Sequence, residues 1–416
     1  MSRLGTVLAA ARRDRLPAYT VFAAVISAAG LPIYIYAPKY YADSYGVSLT
    51  LLGAVLFGLR LFDVFQDPAL GWCAERLKRG KALVITLAAV IMAISMLGLF
   101  AVPPPIAPIW WFGITITGLF TSFAFLTISF YAQGITKAGT APGGHVRLAA
   151  WRESGSLLGV CIAAVAPTLL MSVTDAPFAV FAIGFAVACA IAAWVMWPEW
   201  RGTTHSEPTS MGTILGDPLA RRLMVLALVN GAPLAVSSTL FLFYVESRLA
   251  APGWEGPLLV LFFLAAAVSS PMWSVLARQY GEKPILLLAM VLALIFFCFT
   301  ALLGPGDALP FALICVLAGA TIGADLTLLP AMFARRMAAI SPNGGQGFGL
   351  WAMVNKFTLA FAAVSMLPLL DWSGFVAGAT AQPQFAMTMM MVLYAIVPTL
   401  LKLVAIALLA AITLED

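Results

Sequence analysis

Apolar residues run through this chain in long blocks separated by short polar loops. A helix needs about 20 apolar residues to cross the hydrocarbon of a bilayer. The blocks place twelve such helices, at about 17–41, 49–74, 82–102, 107–135, 147–171, 176–198, 219–246, 256–277, 284–303, 309–334, 347–370 and 385–412. The predicted fold class is therefore an all-α integral membrane protein with 12 transmembrane helices. The longest polar connection, Glu199 to Asp217, lies near the middle. It sets apart an N-terminal six-helix bundle (1–198), a middle loop (199–218) and a C-terminal six-helix bundle (219–416).

The two halves echo one another. Pro68-Ala69-Leu70-Gly71-Trp72-Cys73-Ala74-Glu75-Arg76, leading to Gly80-Lys81, parallels Pro271-Met272-Trp273-Ser274-Val275-Leu276-Ala277-Arg278, leading to Gly281-Glu282-Lys283, at an offset of 203. Arg152 in helix five and Lys356 in helix eleven are 204 apart. Two six-helix bundles with pseudo-two-fold symmetry about the membrane normal resemble the layout of major-facilitator carriers, which bind substrate and ions near the midplane.

Composition agrees with a membrane solvent: 62% of the residues are hydrophobic and 10% charged, against about 25% charged in soluble domains. Charge also gives orientation. Of 23 Lys and Arg, seventeen fall in the N-terminal arm and the even-to-odd loops, two (Lys39, Arg248) on the opposite side, and four inside helices. Positive loops stay in the cytoplasm, so both termini are expected there, in a multi-pass protein of the inner (cytoplasmic) membrane. The net charge of +5 follows from those loops and requires no nucleic-acid partner. Met1–Leu16 reads as a basic arm and not as a signal peptide, because its short apolar run ends in Arg12-Arg13. The five cysteines lie in or at the ends of apolar blocks and read as packing residues. His145 and His205 read as loop residues, so a metal centre is not expected. An enzyme would need a nucleophile–base or metal constellation inside the membrane, and this chain offers none.

Ionised groups inside the apolar blocks carry the functional information, since each costs roughly 2.5–3.5 kcal/mol at mid-bilayer. Arg60, Asp63 and Asp67 are spaced by three and four and share one face of helix two. At the 203 offset they fall on Phe263, Ala266 and Ser270, so the other half builds the same slot without charge. That contrast favours a coupling-ion site over a structural cluster. Arg152 opens helix five beside Glu153 and reads either as a substrate base or as a snorkelling arginine. Lys356, next to Asn355, is too deep in helix eleven to snorkel. Its bland alternative is a salt bridge to Asp63 or Asp67. Asp325, mid-helix in segment ten, either lines a cavity or pairs with a base such as Lys356. Lys402 sits in helix twelve, which is peripheral in this layout, and is expected to snorkel or face lipid. Gly71-x-x-x-Glu75-Arg76, with Arg79 and Lys81 after it, resembles the major-facilitator loop motif, in which an acid caps a neighbouring helix and the bases hold a gate.

Arg60-x-x-Asp63-x-x-x-Asp67-Pro68-x-x-Gly71 is similar to the helix-two signature of the glycoside–pentoside–hexuronide cation symporters. Tyr40-Tyr41-Ala42-Asp43 with Gly46-Val47-Ser48 resembles that family's first outer loop, and Arg152 and Lys356 match its basic residues. The resemblance implies cation coordination by Asp63 and Asp67, and a link between cation and solute sites through Lys356. It departs at the helix-one and helix-four acids, replaced by Ser27 and Thr127, and at a stacking tryptophan, replaced by Tyr131. Losing two carboxylate acceptors speaks against melibiose-like specificity. Losing a hard oxygen ligand favours H⁺ over Na⁺, since a buried carboxylate still carries a proton.

The expected function is cation-coupled symport of a small sugar-like or organic-anion solute by alternating access, in a functional monomer whose only other partner is the bilayer. Asp63, Asp67 and Thr127 are the coupling candidates, and Arg60, Tyr131, Arg152, Asn355, Lys356 and Asp325 the substrate candidates. Gly71, Glu75, Arg76 and Arg79 are the gating candidates, and no cofactor is expected besides the ion. A lysophospholipid carrier and a proton-antiport exporter are the competing readings.

Overall fold

The computed structural model describes residues 14–77, 80–139, 143–201, 209–376 and 382–412, with the side chains of 31–35, 49, 50 and 60 outside the description. Among the described residues every regular element is a helix. The chain begins with α1 (Leu16–Ala28 and Gly30–Tyr45, meeting at Ala29), α2 (Leu49–Arg76) and α3 (Lys81–Phe100). Next come α4 (Pro108–Ala138), α5 (Gly144–Leu170) and α6 (Pro177–Trp200). After a short helix, Met211–Gly216, follow α7 (Pro218–Arg248), α8 (Glu255–Tyr280), α9 (Glu282–Leu302), α10 (Ala308–Ile340), α11 (Gly345–Trp372) and α12 (Gln384–Ala411). Among the described residues ten helices, α3 to α12, are long and apolar enough to cross a membrane. Helix starts follow local chemistry. Proline occupies the first turn of α4, α6 and α7, where its missing N–H costs no hydrogen bond, and Asp217 caps α7 by accepting from the Ala220 N–H at 2.7 Å.

The helices cluster into two compact units. One holds the chain up to Thr213 together with Ala334–Ala352, and the other holds Ile214–Phe333 and the residues from Met353 on. In the first unit α1 lies against α5 and α6, α3 against α4 and α6, and α2 against α4. Lipid gives helices no hydrophobic reason to associate, so close packing and polar contacts must hold them. The α1–α5 crossing has both. A side chain on Gly155 would meet the Thr20 backbone at 2.8 Å, and one on Gly159 the Ala24 Cα at 2.7 Å. The Thr20 hydroxyl donates to the Trp151 carbonyl at 3.0 Å, Ser27 bonds Ser156, and the Tyr36 hydroxyl donates to the Ala164 carbonyl at 2.6 Å.

The second unit packs α7 and α9 on α12, and α8 on α9. Here Gly319 brings α10 onto α8, since its added carbon would lie 3.0 Å from the Phe262 Cα. Tyr244 and Tyr394 stack at 3.9 Å in this unit, with the Tyr244 hydroxyl donating to the Thr300 carbonyl at 2.7 Å. Outward faces of both units are apolar, as at Leu83, Ile94, Ile162, Trp194, Val268 and Phe361. One expected loop residue is helical: α5 starts at Gly144, and His145 is buried in its first turn. His205 lies outside the described residues, as do Arg3, Arg12 and Arg13 of the N-terminal arm.

Candidate functional site

Two carboxylates lie buried on α2. Asp63 is 3% exposed and Asp67 0%. The Gln66 amide donates to Asp63, and its carbonyl oxygen accepts from the Thr121 hydroxyl at 3.2 Å. A relay therefore ties Asp63 to α4 through Gln66 and Thr121, two residues that the spacing of charges does not single out. Thr127 lies further along α4, with its hydroxyl oxygen buried and without a hydrogen-bond partner. The Arg60 side chain lies outside the description.

The structure joins Tyr131 and Arg152 into one cluster with Glu153. Arg152 is 5% exposed, too buried for a snorkelling residue. Its guanidinium lies 3.5 Å above the Tyr131 ring, and its Nε donates to Glu153 Oε1 at 2.8 Å. The Tyr131 hydroxyl donates to the same carboxylate oxygen, also at 2.8 Å. Stacking and a fork-shaped donor together are what distinguish an arginine site from a lysine one. Arg152 Nη2 is buried and has no partner, so one face of this guanidinium still offers a donor.

At the end of α2, Gly71 and Glu75 meet the start of α11 inside the first unit. A carbon added to Gly71 would lie 3.1 Å from the Gly345 carbonyl carbon and 3.2 Å from the Gly349 Cα. Only glycine permits that approach. Glu75 Oε1 accepts from the Gln346 N–H at 2.8 Å and Oε2 from the Thr209 N–H at 3.1 Å. A carboxylate on the free N–H groups opening a helix is both a cap and a partner for the helix dipole. Arg76 stacks on Trp72 at 3.9 Å; Arg79 lies outside the described residues. Glu199, at the end of α6, gathers Lys137 at 3.0 Å, Arg15 at 3.5 Å and the Tyr19 hydroxyl at 3.3 Å. This second ionic knot went unread in the sequence, where Glu199 counted only as the edge of a loop.

In the second unit one expectation is overturned. Lys402 is 6% exposed: it neither snorkels nor faces lipid. Its ammonium donates to Asn230 Oδ1 at 2.7 Å and pairs with Asp325. Asp325 thus finds its base on α12, and Asn230 of α7 completes a buried triad. Asn355 and Lys356 are half-buried on α11. Among the described residues no group of three or more His, Cys, Asp or Glu could hold a metal ion.

A bundle of apolar helices with ionised groups buried on several of them has the makings of a membrane solute carrier. The family described as "MFS/sugar transport protein" matches residues 18–416, and the chain belongs to it: it is a major-facilitator transporter, not an enzyme. A curated relative, the cyanate transport protein CynX of Escherichia coli (strain K12), is 26% identical over 186 residues, 41% of this chain and 46% of that protein. The match thus spans less than half of that relative. Among solved structures, a bacterial homologue of the iron transporter ferroportin, in an outward-facing state, has a TM-score of 0.68 at 13% identity, covering 96% of this chain and 99% of that one. The human organic anion transporter MFSD10 (TETRAN) has a TM-score of 0.63 at 16% identity, covering 94% and 99%. At such identities the likeness is one of fold.

Proposed function

We propose that this chain is a secondary active transporter of the glycoside–pentoside–hexuronide symporter type, coupling H⁺ to the movement of a small anionic solute such as a uronide. The observation that carries the anionic reading is Arg152, buried and stacked on Tyr131 with Nη2 unpartnered. A buried N–H left unmade is expensive, and a solute carboxylate is the acceptor that matches a guanidinium. The cyanate named for the CynX relative is likewise a small anion. Asp63 and Asp67 are the proton-carrying groups in this reading, with the Gln66–Thr121 relay positioning Asp63. Thr127, Asn355 and Lys356 remain candidates for contact with ion and solute. Glu75 is the gate: its hold on the Gln346 N–H ties the start of α11 to α2, and its release frees that end for the next step of the cycle. The carrier works as a monomer in the inner membrane with both termini in the cytoplasm.

The test is uptake of labelled glucuronate into proteoliposomes under an imposed pH gradient, a Na⁺ gradient, or neither. Accumulation with the pH gradient alone, abolished in Asp63→Asn and Asp67→Asn, is the expected result. Accumulation that persists in both variants, or that follows Na⁺ alone, refutes the coupling assignment. Glucuronate uptake unaffected by Arg152→Gln refutes the anion assignment.

A further inference from the structure

The second unit contains a polar site that the reading above leaves unused. Lys402, from α12, has three N–H donors, and two of them are committed to Asn230 and Asp325. Beside it lies a cavity of about 80 Å³, lined by Asn230, Ser237, Thr399 and Lys402, with Phe262 and Phe297 in its apolar wall. The Ser237 hydroxyl donates to the Pro233 carbonyl at 3.0 Å, and Thr399 to the Ala395 carbonyl at 2.6 Å. Both hydroxyl protons are thus satisfied within their own helices, which leaves Lys402 and the Asn230 amide as the donors at the cavity. Asp325 Oδ1 is buried and accepts no hydrogen bond. A single water needs roughly 10–15 Å³ of such space, so the cavity takes on the order of five to eight heavy atoms.

We infer that this cavity binds a short-chain monocarboxylate together with one proton. The ligand carboxylate accepts from Lys402 and the Asn230 amide, and its alkyl end lies against Phe262 and Phe297. The proton, taken from water, bonds to the unpartnered oxygen of Asp325, whose pairing with Lys402 the ligand replaces. One ion pair is exchanged for another, so no net charge is added to a site where an unpaired charge would be costly. The facing groups leave few alternatives as the proton's seat. α7 brings Asn230 and Ser237, α8 Phe262, α9 Phe297, and α12 Thr399 and Lys402. With Asp325 of α10 added, Asp325 and Lys402 are the ionisable members of that set. Lys356 of α11, Cys315 of α10 and Tyr394 of α12 are further ionisable side chains set away from the helix ends in this unit, and none of them lines the cavity. The carboxylate here is particular to this half: at the 203 offset Asp325 falls on Ser122 and Asn230 on Ser27, while Lys402 falls on another charged residue, Glu199.

The measurement is saturation-transfer difference NMR of butyrate with the purified full chain in nanodiscs, from pH 6 to pH 7.5, with butanol as neutral control. Binding of butyrate and not of butanol is expected. Uptake of one proton per ligand makes the affinity fall about tenfold per pH unit. Asp325→Asn, which mimics the protonated acid, is expected to bind butyrate with no pH dependence. Asp325→Asn/Lys402→Met is expected to lose butyrate. Ala318→Met, which fills the cavity and leaves the ion pair intact, is also expected to lose it and keeps the test open if the double variant does not fold. Butyrate signal equal to that of butanol, affinity independent of pH in the unaltered protein, or binding retained by Ala318→Met overturns the inference. No transport is involved, so these outcomes are separate from those of the uptake assay.

Discussion

Replacing Lys402 by methionine separates two accounts of this residue by the sign of the effect. A lysine facing lipid at the depth of α12 costs roughly 2.5–3.5 kcal/mol, so its removal would stabilise the protein. The structure gives the opposite. Lys402 is buried with Asp325 and Asn230, and its loss leaves a carboxylate uncompensated in a low-dielectric interior. Breaking such a pair from one side costs about 3–5 kcal/mol. At about 2–4 °C per kcal/mol for a unit of roughly this size, the melting temperature should fall by about 6–20 °C. Adding Asp325→Asn removes the stranded charge, and the double variant should return to within about 1 kcal/mol of the parent, because neutral replacement of a buried pair is often tolerated. The assay is intrinsic-fluorescence melting of the purified protein, with the coupling read from the double-mutant cycle. An unchanged or raised melting temperature in Lys402→Met, or a double variant no better than the single, would refute the buried pair.

Four further outcomes follow from the packing and the hydrogen bonds. Gly159→Leu should abolish folded expression, because even a β-carbon there meets the Ala24 backbone; a monodisperse, folded variant would contradict the α1–α5 crossing. Glu75→Ala should raise hydrogen exchange at Gln346, whose N–H loses its acceptor, and charge-assisted bonds of this kind contribute about 1.5–3 kcal/mol. Arg152→Lys should keep the charge yet weaken solute affinity at least tenfold, since an ammonium loses the flat stack on Tyr131 and the fork; a dissociation constant within twofold of the parent would count against the site. Gln66→Leu should lower the rate of proton-driven uptake while leaving counterflow exchange intact, if the relay from Thr121 serves Asp63.

Helices α3 to α12 are legible in the sequence because an apolar stretch long enough to span a bilayer has few alternatives. The buried charges are legible for the same energetic reason, and Asp63, Asp67, Arg152 and Asp325 are all buried. What a linear chain conceals is partnership. Lys402 and Asp325 are 77 residues apart, and Lys402 and Asn230 172 apart. Nothing in the local pattern of α10 names α12 as its neighbour. Depth was nevertheless a usable signal: Lys402 lies about two and a half turns from the end of α12, too deep to snorkel by the reasoning that already applies to Lys356. The spacing Gly155-x-x-x-Gly159 marks a close helix approach, but only the fold identifies α1 as the helix that approaches. Gln66 and Thr121 carry no charge, and their part in holding Asp63 appears only in three dimensions.

Comparison of the halves at their common offset bears on why the charges exist at all. Asp67 corresponds to Ser270, whose hydroxyl donates to the Ala266 carbonyl of its own helix at 2.8 Å, and Asp63 corresponds to Ala266, which is fully buried. The second half therefore fills this slot with small residues satisfied locally. The relation also runs the other way. Asn230 corresponds to Ser27, which is content with a single bond to Ser156 in the first half. Each bundle thus packs with small, neutral groups where the other holds a carboxylate or the amide that binds an ammonium. Packing alone does not call for the carboxylates Asp63, Asp67 and Asp325, and each carries the expense of burial in a membrane. The burial of Asp63 and Asp67 on α2 and of Asp325 on α10 is therefore a cost that helix packing by itself leaves unexplained.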